Sequence, residues 1–499
     1  MNAGNASAIV AAILALVLAS PRVGAADPGV AIVTEDKVAL RAAPRTSARQ
    51  QELLWRGDLL EVRGARLDYL QVYDHRRERG GYVHASLVRR SALDAADAPE
   101  LLAVARFLRD RAGFESLGIA LLAAYFRASP AQVLQSPEGT ESVLLLGTFA
   151  ERLADRASAV EPQPPALQTA IGEHLGVAAQ YGIRMNSLES EHAVRLCYDG
   201  DAFRRVLRRS TNAVQQAVAA LALTRPECVD PAAGPLAREA FDRQSAEFLD
   251  QVDSTALPPY LRNRVSMRRA QVWSARAFAM ARGGQAQAAA GAQRAIAELA
   301  DVRRTELTDA DRFVYEDATM LVNASRWAVR PVPTNAAVAR DGSSSLGVEP
   351  GEPGQSCVFI RDAEVPRELV RRCTWGMVWT ASAAWDPQGQ AAVIAVQPMA
   401  GWRELWVFRR DAGQWAIAVL PPAPEAPGIG YAEFAGWVPG GTHMLVARES
   451  RAGDRHQRSF ERVRIETLQT EERAADPARS SAFRRWQDPT WKRETLSLR

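Results

Sequence analysis

Lysine is almost missing from this chain. Lys37 and Lys492 stand alone among 61 basic residues, and the rest are arginine. Such a bias reflects a GC-rich genome first and a selected phosphate or carboxylate surface second. The net charge is only +3 over 499 residues, without the concentrated basic face of a dedicated nucleic-acid binder. Catalytic signatures are missing as well. There is no Gly-x-Ser-x-Gly, phosphate-binding loop, His-Glu-x-x-His or dinucleotide fingerprint. The six histidines (His75, His84, His174, His192, His443 and His456) form no pair at metal-ligand spacing. These absences argue for a chain that is not an enzyme and has neither cofactor nor metal. Beyond the first 25 residues no apolar run approaches 18, so the mature chain should have no transmembrane span.

The exception lies at the start. Ala8 to Leu18 is uncharged and apolar, Ser20 and Pro21 break it, and Val23-Gly24-Ala25 offers small residues at cleavage spacing. This pattern predicts a signal peptide over residues 1–25 and a periplasmic or secreted product. Arg22 is the first basic residue, so the positive end of this leader is the terminal amine alone.

No cysteine precedes Cys197, and only four exist. An oxidising compartment favours disulfides, with buried thiols as the alternative. Four cysteines allow three connectivities, which sequence alone leaves open; domain boundaries favour Cys197–Cys228 and Cys357–Cys373. Either closed loop adds roughly 3–4 kcal/mol in the chain-entropy model.

Length predicts about three domains. Residues 27–91 read as short strands. Tyr69, Gln71 and Tyr73 alternate with Leu70 and Val72, and Gly57-Asp58 and Gly80-Gly81 mark turns. In order come Val38-Ala39-Leu40-Arg41 with Pro44, then Leu54-Trp55-Arg56-Gly57 with Leu60-Glu61-Val62. Asp68-Tyr69-Leu70-Gln71-Val72 and Gly81-Tyr82-Val83 follow. Taken together, over about 60 residues, these segments resemble the bacterial SH3-like domain. That resemblance implies a small β-barrel that binds peptides or peptidoglycan. Asp68 and Tyr82 occupy positions where the family usually has tryptophan.

Residues 95–330 predict a helical domain. Ser129-Pro130 and Ser136-Pro137 each offer a cap before a first-turn proline, and Thr308 opens a late helix. Ala202 to Leu223 reads as one helix, and Arg268 to Ala300 as a helical hairpin around Gly283-Gly284. A linker is expected over 331–355, and a β-rich domain over 356–499. There Trp385-Asp386-Pro387-Gln388-Gly389 and Trp437-Val438-Pro439-Gly440-Gly441 each precede an apolar strand, about 52 residues apart. The recurrence resembles propeller-type blades; a sandwich with two similar hairpin pairs is the alternative. The fold class expected is thus multidomain α+β. Trp486 to Trp491 reads as a strand capping the last sheet or as an aromatic epitope.

Two small acidic clusters, Glu189-Ser190-Glu191-His192 and Asp199-Gly200-Asp201, read as helix starts and turns before ligand sites. The candidate ligand-binding set is Trp55, Tyr69, Tyr73, Arg79, Tyr82 and His84, because ringed side chains with polar edges suit peptide stems and sugars; filling a small core is their alternative use. Arg76-Arg77-Glu78-Arg79 is the one basic knot, expected at a solvated hairpin tip. The functional expectation is an exported, non-enzymatic binding or scaffolding protein of the envelope, with peptidoglycan or envelope proteins as partners and no nucleic acid. The alternatives are a wall hydrolase targeted by the barrel, and an assembly or stress-signalling subunit whose barrel is structural.

Overall fold

The computed structural model describes residues 29–159, 163–189, 194–330, 337–338, 342–362, 367–424, 428–453 and 455–494. The expected leader (1–25), residues 190–192 of the first acidic cluster and part of the 331–355 linker lie outside them. The chain is mixed α and β and divides after Ser210 into two compact units.

The first unit begins with seven strands: β1 (Val30–Val33), β2 (Val38–Arg41), β3 (Gln50–Leu54), β4 (Leu59–Arg66), β5 (Tyr69–Asp74), β6 (Arg79–His84) and β7 (Val88–Ser91). They form one antiparallel sheet in the order β3-β2-β6-β5-β4-β1-β7. Among the described residues the edge strands β3 and β7 do not pair with each other. One face buries Leu40, Leu54, Leu60, Leu70, Val72 and Val83, an aliphatic core without a ring. Of the two turn signals, Gly57-Asp58 lies in the β3–β4 turn, but Gly80-Gly81 lies inside β6 and the turn falls just before it. Leu67 and Glu78, the tips of the β4–β5 and β5–β6 hairpins, both have positive φ.

Next come α1 (Ala98–Leu108), α2 (Glu115–Ala128), α3 (Ala131–Gln135), α4 (Pro137–Ala157) and α5 (Pro165–Gln180). Ser136 caps α4 as expected, accepting from the Gly139 N–H. Ser129 does not cap a helix start. It ends α2, and Pro130 leads into the single turn of α3. A hairpin absent from the sequence reading follows, β8 (Met185–Glu189) and β9 (Val194–Tyr198), and then α6 (Asp201–Arg209). Asp199-Gly200-Asp201 is a turn, with Gly200 left-handed and the Asp199 carboxylate accepting from the Asp201 N–H at 3.0 Å.

The sheet is fastened to these helices by the β3–β4 turn. Gly57 there has φ +96°, and a Cβ on it would meet the Ser116 carbonyl oxygen at 2.6 Å. Only glycine permits that approach. The Ser116 hydroxyl donates to the Arg56 carbonyl (2.7 Å), the Tyr181 hydroxyl to the Gly57 carbonyl (2.9 Å) and Arg56 Nη1 to the Gly113 carbonyl (2.6 Å).

The second unit opens with α7 (Ala213–Leu223), α8 (Pro235–Asp250), α9 (Pro259–Arg282), α10 (Ala288–Ala300) and α11 (Asp309–Ser325). The single helix expected over 202–223 is therefore two. Asn212 breaks it, its side-chain oxygen accepting from Val214 and Gln215 N–H groups. Competition of this kind by a short polar side chain is the physical reason asparagine starts helices. The α9–α10 hairpin turns at Gly283-Gly284 and Thr308 caps α11, both as expected.

Three four-stranded antiparallel meanders complete the unit. The first is β10 (Ala337–Val338), β11 (Ser344–Pro350), β12 (Ser356–Asp362) and β13 (Glu368–Thr374). The second is β14 (Met377–Trp385), β15 (Ala391–Met399), β16 (Trp402–Asp411) and β17 (Gln414–Leu420). The third is β18 (Ile429–Trp437), β19 (His443–Ala452), β20 (Arg455–Arg464) and β21 (Thr470–Ala474). A short parallel pairing, Trp402 with Gly430 and Arg403 with Tyr431, joins the last two into one eight-stranded sheet. The repeated turns sit between the first and second strands of their meanders. Asp386, fully buried, ties its turn by accepting from the Ala391 N–H at 2.7 Å.

The C-terminal aromatic segment is neither a strand nor an epitope. It forms α12 (Ser481–Trp486) and α13 (Pro489–Glu494), and Trp491 packs edge-on against Phe460 and Phe483 in a buried cluster. Ser480 and the Asp488-Pro489 pair start these helices, which overrides the strand-like aromatic spacing. No cysteine is free: Cys357 bridges Cys373 across β12 and β13, and Cys197 and Cys228 are each disulfide-bonded. No described helix is long and apolar enough to cross a membrane.

Candidate functional site

Strand register decides which candidate side chains meet. In the β5–β6 ladder Tyr69 pairs with His84, Gln71 with Tyr82 and Tyr73 with Gly80. Paired residues share a face. Tyr69, Tyr73, Tyr82 and His84 therefore stand on one side, and Leu70, Val72 and Val83 fill the core on the other. The Tyr69 and His84 rings meet edge to face at 5.2 Å. Tyr73 lies between His75, 4.9 Å away, and the Arg63 guanidinium, 4.0 Å above its ring. Tyr82 is flanked across the strands by Gln71 and Arg41. Tyr69 is buried by its neighbours, while Tyr73, Tyr82 and His84 are half-exposed.

Two candidates are not part of this row. Trp55 is buried in the β3–β4 turn, where its backbone N–H donates to the Asp58 carboxylate at 2.8 Å. Arg79 pairs with Asp74, on the opposite side of the ladder, and donates to the Gln51 carbonyl at 3.1 Å.

No family model, curated protein or solved structure matches this chain. Its chemistry has to be taken from the geometry.

The basic knot lies at the β5–β6 tip with Arg76, Glu78 and Arg79 exposed, as expected, but its arginines are also tied to acids. Arg77 reaches Asp58 at 3.0 Å and Asp74 at 2.7 Å, and Arg76 lies 3.5 Å from Asp58. Glu173 of α5 stands 3.7 and 3.8 Å from the two arginines. Asp58 is 1% exposed. Burial raises its pKa against the Trp55 N–H and the Arg77 charge, which pull it down. Beside it, buried His174 meets Asp36 at 2.7 Å, with Arg56 3.6 Å from the same carboxylate. Burial works to raise the Asp36 pKa, but the His174 hydrogen bond and the His174 and Arg56 charges outweigh it and hold it low. These ion pairs sew sheet to helices. The Gly57-Asp58 turn and the Arg76-Arg77 doublet were the visible signals, but nothing local says that they meet.

Two adjoining cavities of about 380 Å³ each share Phe126 and Tyr181 in the same unit. Among the described residues no group of three or more His, Cys, Asp or Glu is placed to hold a metal ion. What the ring row offers is flat apolar area with polar edges and one neighbouring guanidinium, a surface for stacking and hydrogen bonding.

Proposed function

We propose that this protein is an exported, non-enzymatic binding or scaffolding protein of the bacterial cell envelope. In this reading its N-terminal sheet is an SH3-like module that takes a peptide or peptidoglycan stem on the Tyr69–Tyr73–Tyr82–His84 face. The observation that carries it is the separation of rings from core. The sheet builds its interior from aliphatic side chains, so the tyrosines are not spent on filling a small barrel. Export is supported by a chain with no free cysteine, since disulfides persist in oxidising compartments. The two meanders that share a turn signal support a propeller-type arrangement of the C-terminal strands, and the third adds a similar four-stranded unit.

Purified full-length protein sedimented with peptidoglycan sacculi tests the reading. Retention by the native chain, and its loss in a Tyr73→Ala/Tyr82→Ala variant with unchanged melting, is the expected result. No retention of the native chain removes it.

A further inference from the structure

The first unit holds an apolar slot that the proposed function does not use. Its volume is about 380 Å³, within the range of a single small-ligand site. Leu59 at the start of β4, Leu93 after β7, Phe126 of α2 and Tyr181 beyond α5 line it. All four pack against the core of this unit and are only half-buried. The α2 wall is built at one spacing. Ala120, Ala123, Ala124 and Arg127 follow at i, i+3, i+4 and i+7, so they share a face of the helix. Three methyl groups leave the space open, and the fourth position brings a guanidinium to it.

Leu93 is the strained member of this lining. Its φ is +57°, a left-handed value that leucine adopts only at a cost. A local turn holds it there, with the Ser91 hydroxyl oxygen accepting from the Leu93 N–H at 3.1 Å. Strain of this kind gathers where a side chain is aimed at a ligand.

Arg127 is the only charged group of the slot. It is exposed, and among the described residues no carboxylate lies within ion-pair distance of it. The adjoining cavity differs, because Arg184 and Arg205 are paired there with Asp199 and Asp201 at 2.8 and 2.7 Å. Tyr181 adds no negative charge: burial raises its pKa, and its hydroxyl donates to the Gly57 carbonyl at 2.9 Å. A cation in the last turn of a helix also suits the helix dipole, but that role calls for neither the open volume nor the strained leucine.

We propose that this slot binds one medium-length acyl chain ending in a carboxylate, with the chain against Leu59, Leu93 and Phe126 and the carboxylate on Arg127. Apolar walls stabilise each methylene removed from water, and a guanidinium fork matches the two carboxylate oxygens. Gln180, exposed at the same slot, offers an amide N–H to the same head. A single slot of this volume suits one free chain rather than the two of a bilayer lipid.

Calorimetric titration of the full-length protein with decanoate, octanoate and decyltrimethylammonium tests this. Decanoate should bind saturably, one per chain, and lose about fourfold in affinity for each methylene removed. The cation of matched chain length should bind at least about tenfold more weakly. Arg127→Gln changes an exposed side chain and should weaken decanoate by about tenfold, as the loss of a charge-assisted hydrogen bond does. Ala123→Phe fills the slot from α2 and should remove binding. No saturable decanoate binding, equal binding of anion and cation, or native affinity in Ala123→Phe overturns the proposal. So does binding to phosphatidylglycerol vesicles without binding of decanoate. If Ala123→Phe fails to fold, Arg127→Gln decides. Neither variant touches the tyrosine face that sacculus retention reads, so the two proposals fail separately.

Discussion

The first unit buries carboxylates and reaches them with arginines from outside, whereas the second buries an arginine whole. Asp58 and Glu115 are 1% and 0% exposed, and each is met by two arginines that keep contact with solvent: Arg76 and Arg77 for one, Arg152 and Arg156 for the other. In the second unit Arg403 is fully buried. It shares Glu433 with Arg326, and its Nη1 donates to the Asn323 carbonyl at 2.7 Å. Burial pulls its pKa down to about 10, with Glu433 opposing and Arg326 adding to the fall. The difference is one of stem length. A short acid can sit at a seam because a long guanidinium bridges from water to reach it. A guanidinium placed wholly inside has lost its water and depends on acceptors that have nothing else to replace it.

That contrast can be broken by substitution. Glu433→Leu leaves two buried guanidiniums without their carboxylate, and should cost about 3–5 kcal/mol in urea unfolding of the second unit. The first unit's weak point is steric. Gly57→Ala forces a side chain at positive φ against the Ser116 carbonyl, and should cost about 2–3 kcal/mol with the sheet–helix seam opening first in hydrogen exchange.

A third test uses pH. Burial raises the Asp242 pKa from 3.8 to about 6, against the pull of Arg238 and Arg276. The fold therefore prefers the protonated acid. That contribution is complete below 3.8 and is lost as pH rises through about 6. Asp242→Asn should remove this dependence and leave the protein more stable than the native chain at pH 8 by about 1–2 kcal/mol, a figure discounted for partial solvation. A native melting curve flat between pH 4 and 7 counts against it. The smallest effect is expected for Asp58→Asn, about 1 kcal/mol. The amide still accepts from the Trp55 N–H, and Arg76 and Arg77 keep Glu173 and Asp74. If Asp58→Asn costs as much as Glu433→Leu, the contrast between bridged acid and buried base fails.

Much of the local architecture was legible. The alternation at Tyr69–Tyr73, the caps Ser136 and Thr308, and the two repeated turns all act over a few residues, and each has the structure its chemistry implies. Four of the six candidate ligand residues share a face because strand pairing preserves a period of two. The misreadings are also physical. Ala202 to Leu223 has helical residues throughout, but a cap inside it competes successfully with continuation. Trp486 to Trp491 looked strand-like because aromatics favour strands, yet short helices cover the sheet with the same rings. Trp55 and Arg79 had suitable chemistry, but their neighbours across the sheet use them elsewhere.

Hydrophobic period, turn residues and caps say where most of the strands and helices form, because the forces behind them act between near neighbours. Partnership between charges is a different matter. His174 meets Asp36 across 138 residues and Arg403 meets the Asn323 carbonyl across 80, so no window of sequence contains both members. Folding chose those pairs, since burying one charge makes a specific distant acceptor or donor necessary.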